Sequence, residues 1–128
     1  MIIQFTVPGP PVPQSRPRVF RNGGVKSDSE KVSGYKQAIQ LLCPRRKPLF
    51  GPVRLRVEAI MPRPKKVPKG KVYHDSRPDL DNIVKAVQDA LNGLAFFDDS
   101  QIAEIVASKE IAAQCGQERT EITLEELF

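Results

Sequence analysis

The sequence predicts a single α+β domain: a mixed β-sheet with helices packed on it, in the order β-α-β-α-β-β. Three observations predict it. Residues 53–60 alternate apolar and charged side chains, residues 80–94 repeat apolar side chains at three- and four-residue intervals, and short β-type segments stand at both ends. The 128 residues suit one domain, residues 1–128. Hydrophobic residues make up 40% of the chain, aromatics only 6%, and Trp is absent, so the expected core rests on Val, Ile, Leu and Ala.

The elements follow in order. Residues 2–7 alternate as a half-buried strand. Residues 8–13 carry four prolines, which remove backbone donors and forbid regular structure. Arg16, Arg18 and Arg21 come next, then the turn Asn22-Gly-Gly. This arm is expected to be ordered only if it packs on the body or on a ligand. Ser27, Asp28 and Ser29 offer capping oxygens for a helix over 29–42, which places Tyr35, Ala38, Ile39 and Leu42 on one face and stops at Pro44. Residues 53–60 form the alternating strand.

Residues 61–71 hold five cationic side chains and three prolines, which predicts an exposed, stiff loop of greater than usual length. Leu80, Ile83, Val84, Val87, Leu91 and Leu94 then make one buried stripe, and Asn92-Gly93 supplies a C-terminal cap. Residues 104–111 and 119–124 read as two strands joined by a loop containing Gly116.

Charge divides the chain. Up to His74, 16 Lys and Arg stand against 3 Asp and Glu, and from Asp75 onward 4 stand against 12. A basic half joined to an acidic half suits a polyanion binder that also holds an acidic metal site; the plainer reading is a basic surface with a solvated acidic tail. No apolar run approaches the roughly 20 residues that cross a bilayer. The first residues lack the pattern of a secretory leader. Cys43 and Cys115 lie far apart, outside any zinc or disulfide spacing. A cytoplasmic protein with reduced thiols, away from membranes, is the expectation.

The chemistry-bearing constellation is Asp79, Asp81 and Lys85, with Asp98 and Asp99 beyond. Within a regular helix, residues two apart do not share a face. Pro78 biases Arg77 toward an extended backbone and is tolerated at a helix start. An extended Asp79 lets its carboxylate swing toward that of Asp81, and two repelling carboxylates meet most often around a hard divalent cation. For Asp99 to join them, the loop after the helix must fold back toward the helix start. Plainer readings exist for each residue. Asp79 serves as an N-cap, Asp81 and Lys85 as a surface ion pair, Asp89 as a continuation of that face or an anchor for Lys85, and Asp98 and Asp99 as turn residues. His74, the sole histidine, reads as an incidental loop residue. Phe96 and Phe97 read as anchors in the core or a dimer interface rather than wedges between bases.

The segment Arg77-Pro-Asp-Leu-Asp-Asn-Ile-Val-Lys-Ala-Val-Gln-Asp-Ala-Leu-Asn-Gly93, followed by Phe97-Asp-Asp-Ser-Gln-Ile102, resembles the signature of RusA-type Holliday-junction resolvases. The flanks agree more loosely, and the loop of residues 62–76 is longer than in that pattern. The resemblance implies an α+β endodeoxyribonuclease, dependent on magnesium or, in its place, manganese. It implies Asp79, Asp81 and Asp99 as metal ligands and Lys85 as a further catalytic group. It also implies a homodimer that resolves a four-way DNA junction by paired symmetric nicks, in recombination and repair. Arg16, Arg18, Arg63, Lys65, Lys66, Lys69, Lys71 and Arg77 are the candidates for DNA contact, which positions the duplex without reading its sequence. Two rival readings remain at this point: another metal-dependent phosphohydrolase acting on flap DNA or nucleotides, and a catalytically silent junction-binding protein.

Overall fold

The computed structural model describes residues 1–15, 29–114 and 116–127. The arginine-bearing segment with Arg16, Arg18 and Arg21 therefore lies outside the described residues, as does Cys115. The elements are β1 (Ile2–Pro8), α1 (Glu30–Leu42), β2 (Val53–Met61), α2 (Leu80–Leu91), β3 (Ile102–Ile111) and β4 (Arg119–Glu126), with a 3-10 turn over Asp99–Gln101 before β3. This is the mixed α+β domain and the element order that the periodicities predict.

The four strands form one sheet in the order β1-β4-β2-β3. β4 pairs antiparallel with β1 and β2, whereas β2 and β3 run parallel because α2 crosses between them. Alternation in β2 sends Val53, Leu55, Val57 and Ala59 to one face, all fully buried. Ile3 and Val7 of β1 and Ile122 and Leu124 of β4 join them, and α1 and α2 cover that face with Tyr35, Ile39, Val84, Val87 and Leu91. Burying a Val, Leu or Ile contributes about 1.5–3 kcal/mol relative to exposure, so this single layer dominates the stability. Inside it, the Tyr35 hydroxyl bonds the buried Thr120 hydroxyl at 2.5 Å. Burial pushes the Tyr35 phenol up to about 12, partly opposed by that bond.

The opposite face is polar and laced with charge: Arg54 pairs with Glu104 at 2.6 Å and with Glu125 at 2.8 Å. Helix α1 begins where its cap predicts, with Ser29 accepting a bond from the Val32 amide. Helix α2 stops at Leu91, earlier than its apolar stripe suggests. Asn92 is the C-cap and Gly93 takes φ +81°, a conformation glycine adopts at little cost. The chain then doubles back, so Leu94 is exposed while Ala95 and Phe96 return to the core. The proline arm reaches the site directly, because the Gln14 amide donates to the Asn82 carbonyl at 2.8 Å.

Candidate active site

The site is organised by the start of α2. Asp79 is its N-cap, with an extended backbone (φ −72°, ψ 137°), and Asp81 lies in the first turn. The Asp79 side chain makes no capping hydrogen bond, so the ordinary reason for an aspartate there does not apply. Both carboxylates are exposed at the positive pole of the helix, which favours anionic side chains and anionic ligands alike.

What fixes Asp79 comes from another element. The Lys109 ammonium of β3 donates to the Ser76 carbonyl at 2.5 Å and to the Pro78 carbonyl at 2.7 Å, on either side of the cis Arg77–Pro78 peptide. Strand register puts Lys109 opposite the buried Ala59, on the core-facing parity with Ala107 and Ile111. The signal for this residue in the sequence is a lysine at an inward position of a strand.

Lys85 projects one turn beyond Asp81. Its ammonium pairs with Asp89 at 3.0 Å and keeps 53% of its side chain exposed. Asp89 thus anchors Lys85, and Lys36 approaches the same carboxylate at 3.8 Å. Beside these residues an open groove of about 1060 Å³ runs between α2 and β3, lined by Leu80, Asp81, Val84, Lys85, Ile105 and Ala107 among others.

Asp99 stands elsewhere. It opens the 3-10 turn at the start of β3, while Lys109, near the end of β3, touches the segment leading into α2. Seven strand residues at about 3.3 Å each, or twelve helical residues at about 1.5 Å, put roughly 20 Å between Asp99 and Asp79. The loop does not fold back as the metal-site reading requires within one chain, because Gln101 holds the turn in place through the Leu49 and Gly51 carbonyls. Among the described residues, no three His, Cys, Asp or Glu side chains converge on one point. Asp98 and Asp99 differ in role. Asp98 caps the turn and accepts from the Ser100 amide at 3.0 Å, a bond that holds its carboxyl below the usual range. Asp99 is not the capping residue and remains half-buried.

The cations separate likewise. Arg63 spans the loop from within: its guanidinium donates to the carbonyls of Ala112, Pro68 and Lys71. Those three bonds hold the fold of the loop. Lys71 pairs with Asp75 at 2.8 Å. Lys65, Lys66, Lys69 and Arg77 are exposed. A second basic run, Arg45-Arg46-Lys47, is exposed after α1; it was legible as three consecutive cations but was not singled out. His74 is half-buried, and burial and the nearby Lys109 charge lower its pKa. Phe96 is fully buried, as an anchor should be, whereas Phe97 is exposed against Phe50.

Comparison with known proteins agrees with the motif. The family model described as Endodeoxyribonuclease RusA matches residues 8–125. A protein of Bacillus subtilis (strain 168), described as "Uncharacterized protein YqaN", is 40% identical over 122 residues, covering 84% of this chain and 86% of that protein. No helix among the described residues is long and apolar enough to cross a membrane. With the match running through the strand, helix and acidic turn that carry the site, the chain belongs to the RusA family of endodeoxyribonucleases.

Proposed function

We propose that this protein is a magnesium-dependent resolvase of four-way DNA junctions that acts as a cytoplasmic homodimer. The observation that carries the proposal is the start of α2, where Asp79 occupies the cap without using its carboxylate and Asp81 follows within one turn. Two hard oxygen donors suit magnesium, which proteins commonly hold through one or two carboxylates together with substrate phosphate. Manganese fits the same donors. When bound, the ion polarises the scissile phosphate and lowers the pKa of a coordinated water. Lys85, tethered by Asp89, meets the negative charge that accumulates on the phosphoryl oxygens. Lys109 keeps Asp79 extended and aimed outward. Arg77, Lys65, Lys66 and Lys69 hold the DNA backbone.

The homodimer gives Asp99 its place. β3 pairs with β2 on one side only. On its other side, the segment around Tyr73 covers the end of the strand, through the His74 amide to the Lys109 carbonyl and the Ile111 amide to the Val72 carbonyl. Among the described residues, no strand pairs with this side of residues 102–108, an edge centred on Ile105. Ile105 and Val106 there are 50% and 45% exposed, on opposite faces. An open apolar edge is a template for another strand. A two-fold axis through Ile105 pairs this edge with its own copy and keeps inward and outward faces matched. That antiparallel arrangement carries Asp99 of one subunit past Ser108 of the other, toward the segment that holds Asp79 and Asp81. Each metal site then draws two carboxylates from one chain and one from its partner, and two such sites related by the axis suit paired cuts.

The experiment is cleavage of a synthetic four-way junction. Wild type with magnesium is expected to give symmetric paired nicks, and chelation or Asp81→Asn to abolish them. Equal cleavage of linear duplex would return the reading to a general metal-dependent nuclease. Tight junction binding with no cleavage in magnesium or manganese would favour the silent binding protein.

A further inference from the structure

At the Asp99 end of the molecule, Leu49 and Phe96 form a parallel bridge, with the Leu49 amide donating to the Ala95 carbonyl at 2.8 Å. Both side chains are buried, at 1% and 0% exposure. The next residue on each segment turns outward. Phe50 is 75% exposed and Phe97 is 54% exposed, and their rings pack with centroids 4.9 Å apart at a 55° tilt. Their backbones are fixed rather than loose. The Gln101 side chain accepts from the Phe97 amide and donates to the carbonyls of Leu49 and Gly51, which flank Phe50. Folding therefore holds two aromatic side chains in water, where burial would have been favourable.

The neighbourhood says what would cover them. Arg45, Arg46 and Lys47 precede Phe50 by a few residues, are exposed, and make no ion pair with another described residue. Arg45 and Arg46 also line an open groove of about 760 Å³ beside this end, with Leu41 and Leu94. Aromatic faces beside unpaired cations are the composition of a single-strand nucleic-acid platform: cations track the backbone and rings stack on unpaired bases. Aromatic rings also anchor protein interfaces, but a nucleic acid uses both features at once, with base faces against the rings and phosphates along the basic run. Phe97 also immediately precedes Asp98 and Asp99.

We propose that Phe50 and Phe97, with Arg45, Arg46 and Lys47, form a stacking platform for bases left unpaired at the branch point of the DNA substrate. The platform concerns recognition, separate from metal chemistry, although it serves the branched substrate proposed above. Fully paired duplex offers it no free base face. The basic run contributes affinity to any DNA, while the two rings select branched over linear DNA.

The test uses the full-length chain in calcium buffer, where binding is read without turnover. The chain has no tryptophan, so Phe97→Trp introduces a single fluorescent reporter on the platform. Its emission is expected to be quenched by a four-way junction and little changed by linear duplex. Phe97→Ala and Phe50→Ala are each expected to weaken junction binding roughly five- to hundredfold, with linear duplex affinity and melting temperature held. Unquenched emission at saturating junction, or unchanged affinity in both alanine variants, would overturn the platform. So would a loss of dimer mass in size-exclusion chromatography for either variant, which would assign the pair to contact with a second copy. If the Phe97→Trp protein is quenched by the junction while the wild type binds the junction but never cuts it in magnesium or manganese, the resolvase proposal falls and the platform stands.

Discussion

Lys109→Met isolates the part of the site that comes from outside the motif. The side chain keeps most of its length and loses the ammonium, so the carbonyls of Ser76 and Pro78 lose their shared donor. Hydrogen bonds to a charged group contribute about 1.5–3 kcal/mol each. The Ser76 bond is exposed and water replaces it readily, while the Pro78 bond is partly buried. A net loss of about 2 kcal/mol is therefore expected, which lowers the melting temperature of a domain this size by roughly 6–12 °C. The larger consequence is positional. Freed from Lys109, the segment before α2 no longer presents Asp79 at a fixed place. Loss of groups that orient metal ligands typically costs about 10–100-fold in metal affinity or activity. The assay is a magnesium titration of junction cleavage at a temperature where both proteins are folded. The midpoint is expected to rise by that factor, junction affinity in calcium to stay unchanged, and Lys109→Arg to recover most of the loss. A variant that melts lower yet keeps the wild-type magnesium midpoint would refute the positioning role and leave Lys109 purely structural.

Three further outcomes are expected. Arg63→Ala removes the donor to three carbonyls; it should lower thermal stability by about 2 kcal/mol while leaving the salt dependence of DNA binding as it was. Replacing Lys65, Lys66 and Lys69 together should do the reverse, reducing the slope of log affinity against log salt by about one per lost phosphate contact. His74 carries a folded pKa below its ordinary 6.5, chiefly through burial. The unfolded chain thus binds a proton more readily, and the contribution is present above pH 6.5 and lost as pH falls below it. His74→Gln is expected to flatten this acid limb in denaturant titrations run at a series of pH values, and an unchanged limb would remove His74 from it.

Periodicity carried the fold well because burial of one face dictates both the alternation of β2 and the stripe of α2. It misjudged the end of α2 for a local reason: Leu94 continues the stripe, but Gly93 at positive φ breaks the helix first, and Phe96 takes the buried place. The motif brought Asp79, Asp81 and Lys85 to one helix start because all three lie within two turns. Asp99 was beyond its reach. Spacing along the chain says nothing about which end of β3 the acidic turn occupies, and strand direction puts it at the far end. Arg63 was illegible for a related reason, since its role is bonds to backbone carbonyls, which composition does not reveal; Lys109 showed only as a lysine at an inward strand position, which names no partner. Phe50 gave no signal until the Leu49–Phe96 bridge put it beside Phe97.

Subunit mixing tests the shared metal site most directly. Asp81→Asn and Asp99→Asn chains, each prepared separately, should both be inactive on a four-way junction. Combined and allowed to exchange, they form heterodimers in which one site loses both functions. The other site keeps Asp79 and Asp81 from the Asp99→Asn chain and Asp99 from its partner. Cleavage should therefore return in the mixture as a single nick per junction, never as the paired cut. If the mixture stays as inactive as its parents, or Asp99→Asn alone cuts like wild type, the carboxylates are not shared across the dimer.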